Sequence, residues 1–442
     1  MCLSNCAIVI MGASGDLTRR KLMPALNQLY RKGKIDDSNV VIGCGRTNFA
    51  DQSFRERFDV DESFAKLLFY HQHIQGLKHF IQSRCNKLSR IIVFLSQPPS
   101  AYGPTTRELV EEGLSKETSI VIEKPFGYDL QSAREINRVI GSGFSEKQIF
   151  RIDHYLAKEA VQNLMVFRFA NSVFFPVWNS HYIESIQINA LESEGVVERG
   201  AYFDRSGTIR DMVQNHLLQL LSLLTMEAPV TLDADDIRRQ KINLLRSITV
   251  TGCNRFQYRG YREENAVARD SMTETFTELS LQINNFRWAG IPIFIRTGKA
   301  LHRRGTEIGL RFRQLPGILY NETGAVKPNQ IIFKIQPSEG IIIDLSAKTP
   351  GAKGLISGTH MNFCYRDSFA DAVPEAYQLL LYDVLKGDHT LFVSAEETEC
   401  AWSLIQDHLD KGELGMYDKG SKPPGKFDVD WIDFDAYAGI CG

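Results

Sequence analysis

Charge of one sign is not in excess in this chain. Its 51 basic and 53 acidic residues leave a formal net charge of -2, whereas a nucleic-acid-binding domain predicts a clear basic surplus. No nucleic-acid partner is expected. A long hydrophobic run is missing from the start: Ala7 to Met11 is five residues, ended by Gly12, too short for a signal-peptide core or a membrane span. The expectation is a cytoplasmic protein with no membrane partner. Eight cysteines are scattered with no C-x-x-C pair, which excludes a zinc ribbon and predicts reduced thiols. His71 and His73 have no carboxylate or cysteine cluster around them, so no metal is expected. Asn321-Glu322-Thr323 fits a glycosylation acceptor and is read as chance without an export signal. Internal repeats and low-complexity segments are also lacking.

What is present is ordinary globular material: 43% hydrophobic and 24% charged over 442 residues, enough for more than one core. Ala7–Met11, Asn39–Gly45, Arg90–Ser96, Ser119–Glu123 and Ile149–Ile152 read as strands with helical patterns between them. Uninterrupted apolar runs of this kind belong to strands buried on both faces of a parallel sheet. The prediction is an α/β Rossmann-like, doubly wound domain over residues 1–155. After it the character changes. Ile183–Leu191 alternates like a half-exposed strand, and Arg205–Met226 reads as one long amphipathic helix. Glu278–Ile283, Ile293–Arg296, Ile308–Phe312, Gln330–Ile335 and Ile341–Leu345 are strand-like with few helices between them. Residues 156–442 are therefore expected to form an α+β domain around a large, mostly antiparallel sheet. Helices follow at Tyr377–Leu385 and Glu396–Leu409, then a loop near Lys422–Lys426.

The first strand runs into Gly12-Ala13-Ser14-Gly15-Asp16-Leu17 and a helix. A helix N-terminus behind glycines suits a pyrophosphate, although G-x-x-G also serves as a plain packing turn. The second strand ends Gly43-Cys44-Gly45-Arg46. No acidic residue stands there for ribose hydroxyls, and an arginine fits the 2′-phosphate of NADP or is merely a surface charge. Read from the residues alone, His216 is better taken as a satisfied polar group on a buried helix than as a catalytic base.

Six segments together narrow the choice. They are Gly12–Leu17 with Arg19, Arg20 and Lys21; Glu123-Lys124-Pro125-Phe126-Gly127; Arg151-Ile152-Asp153-His154-Tyr155-Leu156-Ala157-Lys158-Glu159; Arg210–His216; Arg296–Leu301; and Gln336–Glu339. In order and spacing they resemble the glucose-6-phosphate dehydrogenase family. The resemblance implies oxidation of the anomeric hydroxyl of glucose 6-phosphate, with hydride passing to NADP. It implies His216 as general base, a role that suits an imidazole, oriented by Asp153. It implies His154, Tyr155 and Lys158 on the substrate phosphate. Lys124, Glu192, Asp211, Lys299, Arg304 and Gln336 complete the substrate pocket. Gly12, Ala13, Ser14, Gly15, Asp16, Leu17, Arg46 and Lys124 hold the cofactor, with Lys21 close by. A cis Lys124–Pro125 bond is expected to carry Lys124 and Phe126 toward a cleft. A helix starting near Tyr155 would put Lys158 one turn along. Assembly as a homodimer or homotetramer is carried over with the family.

The chain departs from the pattern as well. It is short between Ala50 and Arg90 and near the C-terminus. Thr18, Ala157 and Ser96-Gln97-Pro98-Pro99 replace usual residues, and Gly305 argues against a second nucleotide site. A related sugar or hexose-phosphate dehydrogenase and a non-catalytic nucleotide sensor are the other readings.

Overall fold

Alternation along the apolar runs decides the first sheet. The computed structural model describes residues 3–85, 87–316, 318, 326–351, 355–369 and 375–441. It divides into two compact units: Met1–Ala157 with Pro229–Arg239 and Pro374–Trp402, and Lys158–Ala228 with Gln240–Val373 and Ser403–Gly442. A single cut at 155/156 therefore does not describe the packing, because two later segments return to the first unit. The Asn321–Thr323 acceptor and Cys2 lie outside the described residues.

The first unit is built on β1 (Cys6–Met11), β2 (Val40–Gly45), β3 (Leu68–Gln72), β4 (Arg90–Leu95), β5 (Thr118–Ile122) and β6 (Ile149–Ile152). They pair in parallel in the order β6-β5-β4-β1-β2-β3, and the short strand Phe392–Val393 adds antiparallel to β6. Successive side chains of a strand face opposite ways. Ile8 and Ile10 of β1 thus join Ile92 and Phe94 of β4 in one core, under the helices Met23–Arg31 and Ala376–Lys386. Ala7, Val9 and Met11 join Ile91, Val93 and Leu95 in the other, under Leu77–Arg84 and Tyr102–Glu111. Both faces are covered, which explains the unbroken apolar runs. Chain order reverses between β1 and β4, the switch point at which such sheets open a crevice for ligands.

The second unit carries β7 (Ile183–Leu191), β8 (Ile248–Tyr258), β9 (Phe276–Ile283), β10 (Ile293–Gly298), β11 (Gly305–Phe312), β12 (Gln330–Gln336), β13 (Gly340–Lys348) and β14 (Ile356–Cys364). Their order is β14-β13-β12-β11-β7-β10-β9-β8, with the strand Leu414–Tyr417 beyond β8. Pairing is antiparallel except between β7 and β10 and between β8 and Leu414–Tyr417. β7 is buried at every position but Glu184. It was expected to be half-exposed; its central place in the sheet buries both faces.

The expected single helix over Arg205–Met226 is three pieces. Gly207, at φ 63° and ψ 179°, breaks the chain after the helix Gly200–Thr208 begins. Ile209–Leu217 then winds as a π-helix, and Leu218–Thr225 as an α-helix buried at every residue. Five of its eight residues are leucine, and Ser222 and Thr225 bond back to the helix carbonyls of Leu218 and Leu221 at 2.7 Å each, which suits a place inside a core. Its terminal carbonyls, which have no partner within the helix, accept from Trp178 Nε1 at 2.9 Å on Leu224, Trp288 Nε1 at 2.7 Å on Thr225, and Arg168 at 2.6 Å on Leu223 and Met226. Among the described residues no helix is long and apolar enough to cross a membrane.

Cys364 and Cys441 are joined by a disulfide with Cα atoms 5.1 Å apart. This corrects the expectation that all thiols are reduced: the two lie 77 residues apart, so no local spacing reveals them. Cys6, Cys44, Cys85, Cys253 and Cys400 are outside any disulfide.

Candidate functional site

In the first unit the site grows from the switch point. Gly12 follows β1 at φ 77°, and a Cβ there would stand 2.4 Å from the Ser96 carbonyl oxygen at the end of β4. Only glycine takes both the conformation and the approach without strain. Gly12 N–H donates to Cys44 O at 2.8 Å, and Gly15 N–H returns to Gly12 O at 2.9 Å. The turn so fixed passes through Ala13 and Ser14 into a helix that starts at Asp16 and Leu17. The start of a helix favours an anion, because its first amides have no partner within the helix. Asp16 is held in exposed ion pairs with Arg19 (3.2 Å) and Arg20 (2.7 Å). Arg46, just past β2, is exposed, and Lys21 is exposed on the same helix.

Arg57 is a further cation that the sequence reading missed. Its guanidinium donates to Ser14 O at 3.2 Å and lies 5.0 Å from the Phe49 ring centroid. It comes from the shortened stretch between Ala50 and Arg90, where no motif marks it. A cradle that excludes Cβ, a helix start and the Arg57 guanidinium beside Ser14 fit a pyridine dinucleotide.

The loop after β5 is clamped. Tyr102 Oη donates to Glu123 O at 3.1 Å and Trp402 Nε1 to Phe126 O at 3.0 Å. Lys124–Pro125 is cis, as expected. Phe126 is a core residue of the first unit, in one cluster with Ile122 and Ile140. Its apolar ring takes the buried place while Lys124 stays half-buried. Burial pushes the Glu123 carboxyl up to about 7, against the pull of the Tyr377 hydroxyl and Lys124, with Asp153 adding to the rise.

Asp153 follows β6 and is 2% exposed. Its Oδ1 accepts from Tyr155 N–H at 3.0 Å and its carbonyl from Leu156 N–H at 3.0 Å. The carboxylate therefore folds the turn that holds His154 and Tyr155, whose rings meet edge to face at 5.1 Å. The helix that follows begins at Glu159, with Lys158 as its N-cap in extended conformation. It does not begin at Tyr155, because the Asp153 turn occupies residues 154–157.

In the second unit one end of the sheet gathers most of the expected polar residues. Gly298 and Gly305 both pair with Leu191, and Thr306 pairs with Gln336. Glu192, Lys299, Arg304 and Gln336 therefore leave the ends of β7, β10, β11 and β12 at the same edge. Lys299 Nζ and a Glu192 carboxylate oxygen are ion-paired. Lys299 Nζ is also 5.2 Å from the Phe203 ring centroid. Arg304 is exposed and Gln336 half-buried.

Asp211 and His216 are 4% and 1% exposed in the π-helix. Five residues of α-helix would turn them about 140° apart. The wider winding of a π-helix, with more residues per turn, brings them closer in angle. The winding is set at its start: Ile209 N–H donates to Glu274 Oε1 at 3.0 Å, and a Cβ on Gly207 would be 2.4 Å from the same oxygen. Tyr202 Oη donates to Asp211 Oδ1 at 3.1 Å.

Comparison with known proteins agrees with both units. The family described as "Glucose-6-phosphate dehydrogenase, NAD binding domain" matches residues 9–163, and "Glucose-6-phosphate dehydrogenase, C-terminal domain" matches 165–432. A glucose-6-phosphate 1-dehydrogenase of Aggregatibacter actinomycetemcomitans is 39% identical, over 95% of this chain and 94% of its own length. One from Bacillus subtilis is 35% identical, over 95% of each. A solved glucose-6-phosphate dehydrogenase in complex with glucose 6-phosphate aligns with TM-score 0.90 at 33% identity, over 96% of each chain. The Mycobacterium avium enzyme aligns at 0.85 and 34% identity, over 95% of this chain and 96% of its own. The chain belongs to the glucose-6-phosphate dehydrogenase family.

Proposed function

We propose that this chain oxidises glucose 6-phosphate to 6-phosphogluconolactone with NADP, the first step of the oxidative pentose phosphate pathway, in the cytoplasm. The observation that carries the reading is the polar end of the larger sheet in a chain of this family. It offers Glu192, Lys299, Arg304 and Gln336 from four strand ends to one multiply hydroxylated ligand. Lys158, His154 and Tyr155 bind the phosphate, and Asp211 and Lys124 join the hydroxyl contacts. His216 takes the proton of the anomeric hydroxyl, and Asp153 orients the imidazole and stabilises its cationic form. When bound, the nicotinamide supplies the hydride acceptor. Gly12, Ala13, Ser14, Gly15, Asp16, Leu17 and Arg57 hold the pyrophosphate region, while Arg46 selects the 2′-phosphate. The first unit serves chiefly the nucleotide, and the second chiefly the sugar phosphate and assembly as a homodimer or homotetramer.

The test is steady-state turnover with glucose 6-phosphate, glucose and other hexose phosphates, each with NADP and NAD. His216→Asn is expected to lower kcat by about 10²–10⁴-fold, the span of a lost general base, with KM for glucose 6-phosphate nearly unchanged. Unchanged turnover in that variant removes His216 from the chemistry. Equal use of NADP and NAD by the wild type removes the role of Arg46, and equal use of glucose removes the phosphate set.

A further inference from the structure

A carboxylate stands beside the proposed phosphate lysine, where simple charge counting places it badly. Glu339 Oε2 accepts from Ala160 N–H at 2.7 Å, in the first turn of the helix Glu159–Phe169, whose N-cap is Lys158. The charges that bear on the Lys158 ammonium are Glu339, which favours its cation, and Arg304, which opposes it. Burial, the largest influence, pushes the lysine pKa down. Glu339 is itself fixed from behind. It directly precedes β13, its carbonyl accepts from Tyr365 N–H at 3.2 Å, and the Tyr365 hydroxyl donates to Glu159 O at 3.3 Å. Tyr365 thus ties the backbone of Glu339 to the same helix start that the Glu339 side chain caps. Glu159, the remaining acid of this cluster, has its carboxyl pushed up by burial and then by Glu339.

We infer that Glu339 is a positioning residue for phosphate recognition: it caps the helix start and holds Lys158 in place beside Arg304, at the cost of one negative charge near the anion. The inference rests on the glucose 6-phosphate reading and names the residue that organises its phosphate end. It opposes an intuitive alternative. If Glu339 were only a like-charge neighbour, removing its charge would strengthen phosphate binding. If it positions Lys158, removal weakens it, because a half-buried ammonium loses its counter-charge and a helix amide its acceptor.

The experiment compares wild type, Glu339→Gln and Glu339→Asp by steady-state kinetics, with inorganic phosphate as a competitive probe. Glu339→Gln is expected to raise both KM for glucose 6-phosphate and the phosphate inhibition constant about tenfold, the effect of one charge-assisted contact. Its kcat should stay within about twofold, as uniform binding loss requires. Glu339→Asp should recover part of the loss. The rise of KM on the alkaline side should also begin at lower pH in Glu339→Gln than in wild type, because Lys158 then loses its proton more easily. Tighter or unchanged phosphate binding overturns the inference, as does a fall in kcat with KM unmoved. Should Glu339→Gln not fold, Glu339→Asp decides: a KM for glucose 6-phosphate no higher than wild type overturns it. Failure of the underlying reading looks different, since the wild type would then show no preference for glucose 6-phosphate over glucose.

Discussion

Glu123 shows how a single residue couples burial to pH. Its carboxyl lies just past β5 with Oε1 buried, and burial pushes its pKa up from 4.5 to about 7. Between those values the folded protein holds a proton that the unfolded chain has released, so stability falls as pH rises through the window. Above it the charged, buried form costs about 2–3 kcal/mol relative to pH 5. Glu123→Gln keeps the shape and removes the titration. The melting temperature of that variant minus wild type is expected to grow from pH 5 to pH 8, and a difference independent of pH would show that Glu123 does not titrate there. Residues with this behaviour are hard to read from sequence. The stretch Glu123-Lys124-Pro125 was visible as a motif, but the hydroxyl of Tyr377 that answers Glu123 lies in a segment more than 200 positions along the chain. Arg57 was missed, and the contact of Glu339 within a named segment was not foreseen, for the same reason: each partner atom is remote in sequence.

At the scale of elements, the glycine turn sets the stringency. Gly12→Ala places a Cβ against the Ser96 carbonyl at positive φ. We expect a loss of about 1–3 kcal/mol in stability and weaker NADP binding, measured by denaturant unfolding and nucleotide titration of the same preparation. Unchanged affinity would leave the turn a packing device only. In the first sheet β1, β2, β4, β5 and β6 were legible from their mainly apolar runs, because burial on both faces demands that composition. β3 was missed since its Leu-Phe-Tyr-His-Gln run ends in polar residues at the sheet edge. β14 was missed because it is an edge strand whose central positions are exposed. Arg205–Met226 misled because apolar spacing cannot distinguish a continuous helix from one broken by Gly207 and rewound.

Over the whole molecule, chain order and spatial order part company. The helix Ala376–Lys386 packs on the first sheet, under Leu380, Leu381, Val384 and Leu385, so a boundary drawn once along the sequence misses it. The last residues are bound tightly too. Lys334 Nζ donates to the carbonyls of Tyr437, Ala438 and Ile440, Ile432 and Phe434 pack on Ile332 and Ile342, and Cys441 bonds to Cys364. Closing a 77-residue loop is worth about 2–4 kcal/mol. A reducing agent should therefore lower the melting temperature of the wild type by several degrees and leave Cys441→Ser unmoved. Equal response of both proteins would count against a stabilising disulfide.

The π-wound segment Ile209–Leu217 carries one more implication, for how this chain can vary. Asp211 and His216 would stand about 140° apart on an α-helix, and the wider π-winding narrows that angle. Exchanging one apolar neighbour for another leaves that phase alone, whereas adding or deleting a single residue swings the imidazole round the axis. The stretch can change its letters but not its length, and insertions and deletions tolerated by a working protein must fall elsewhere.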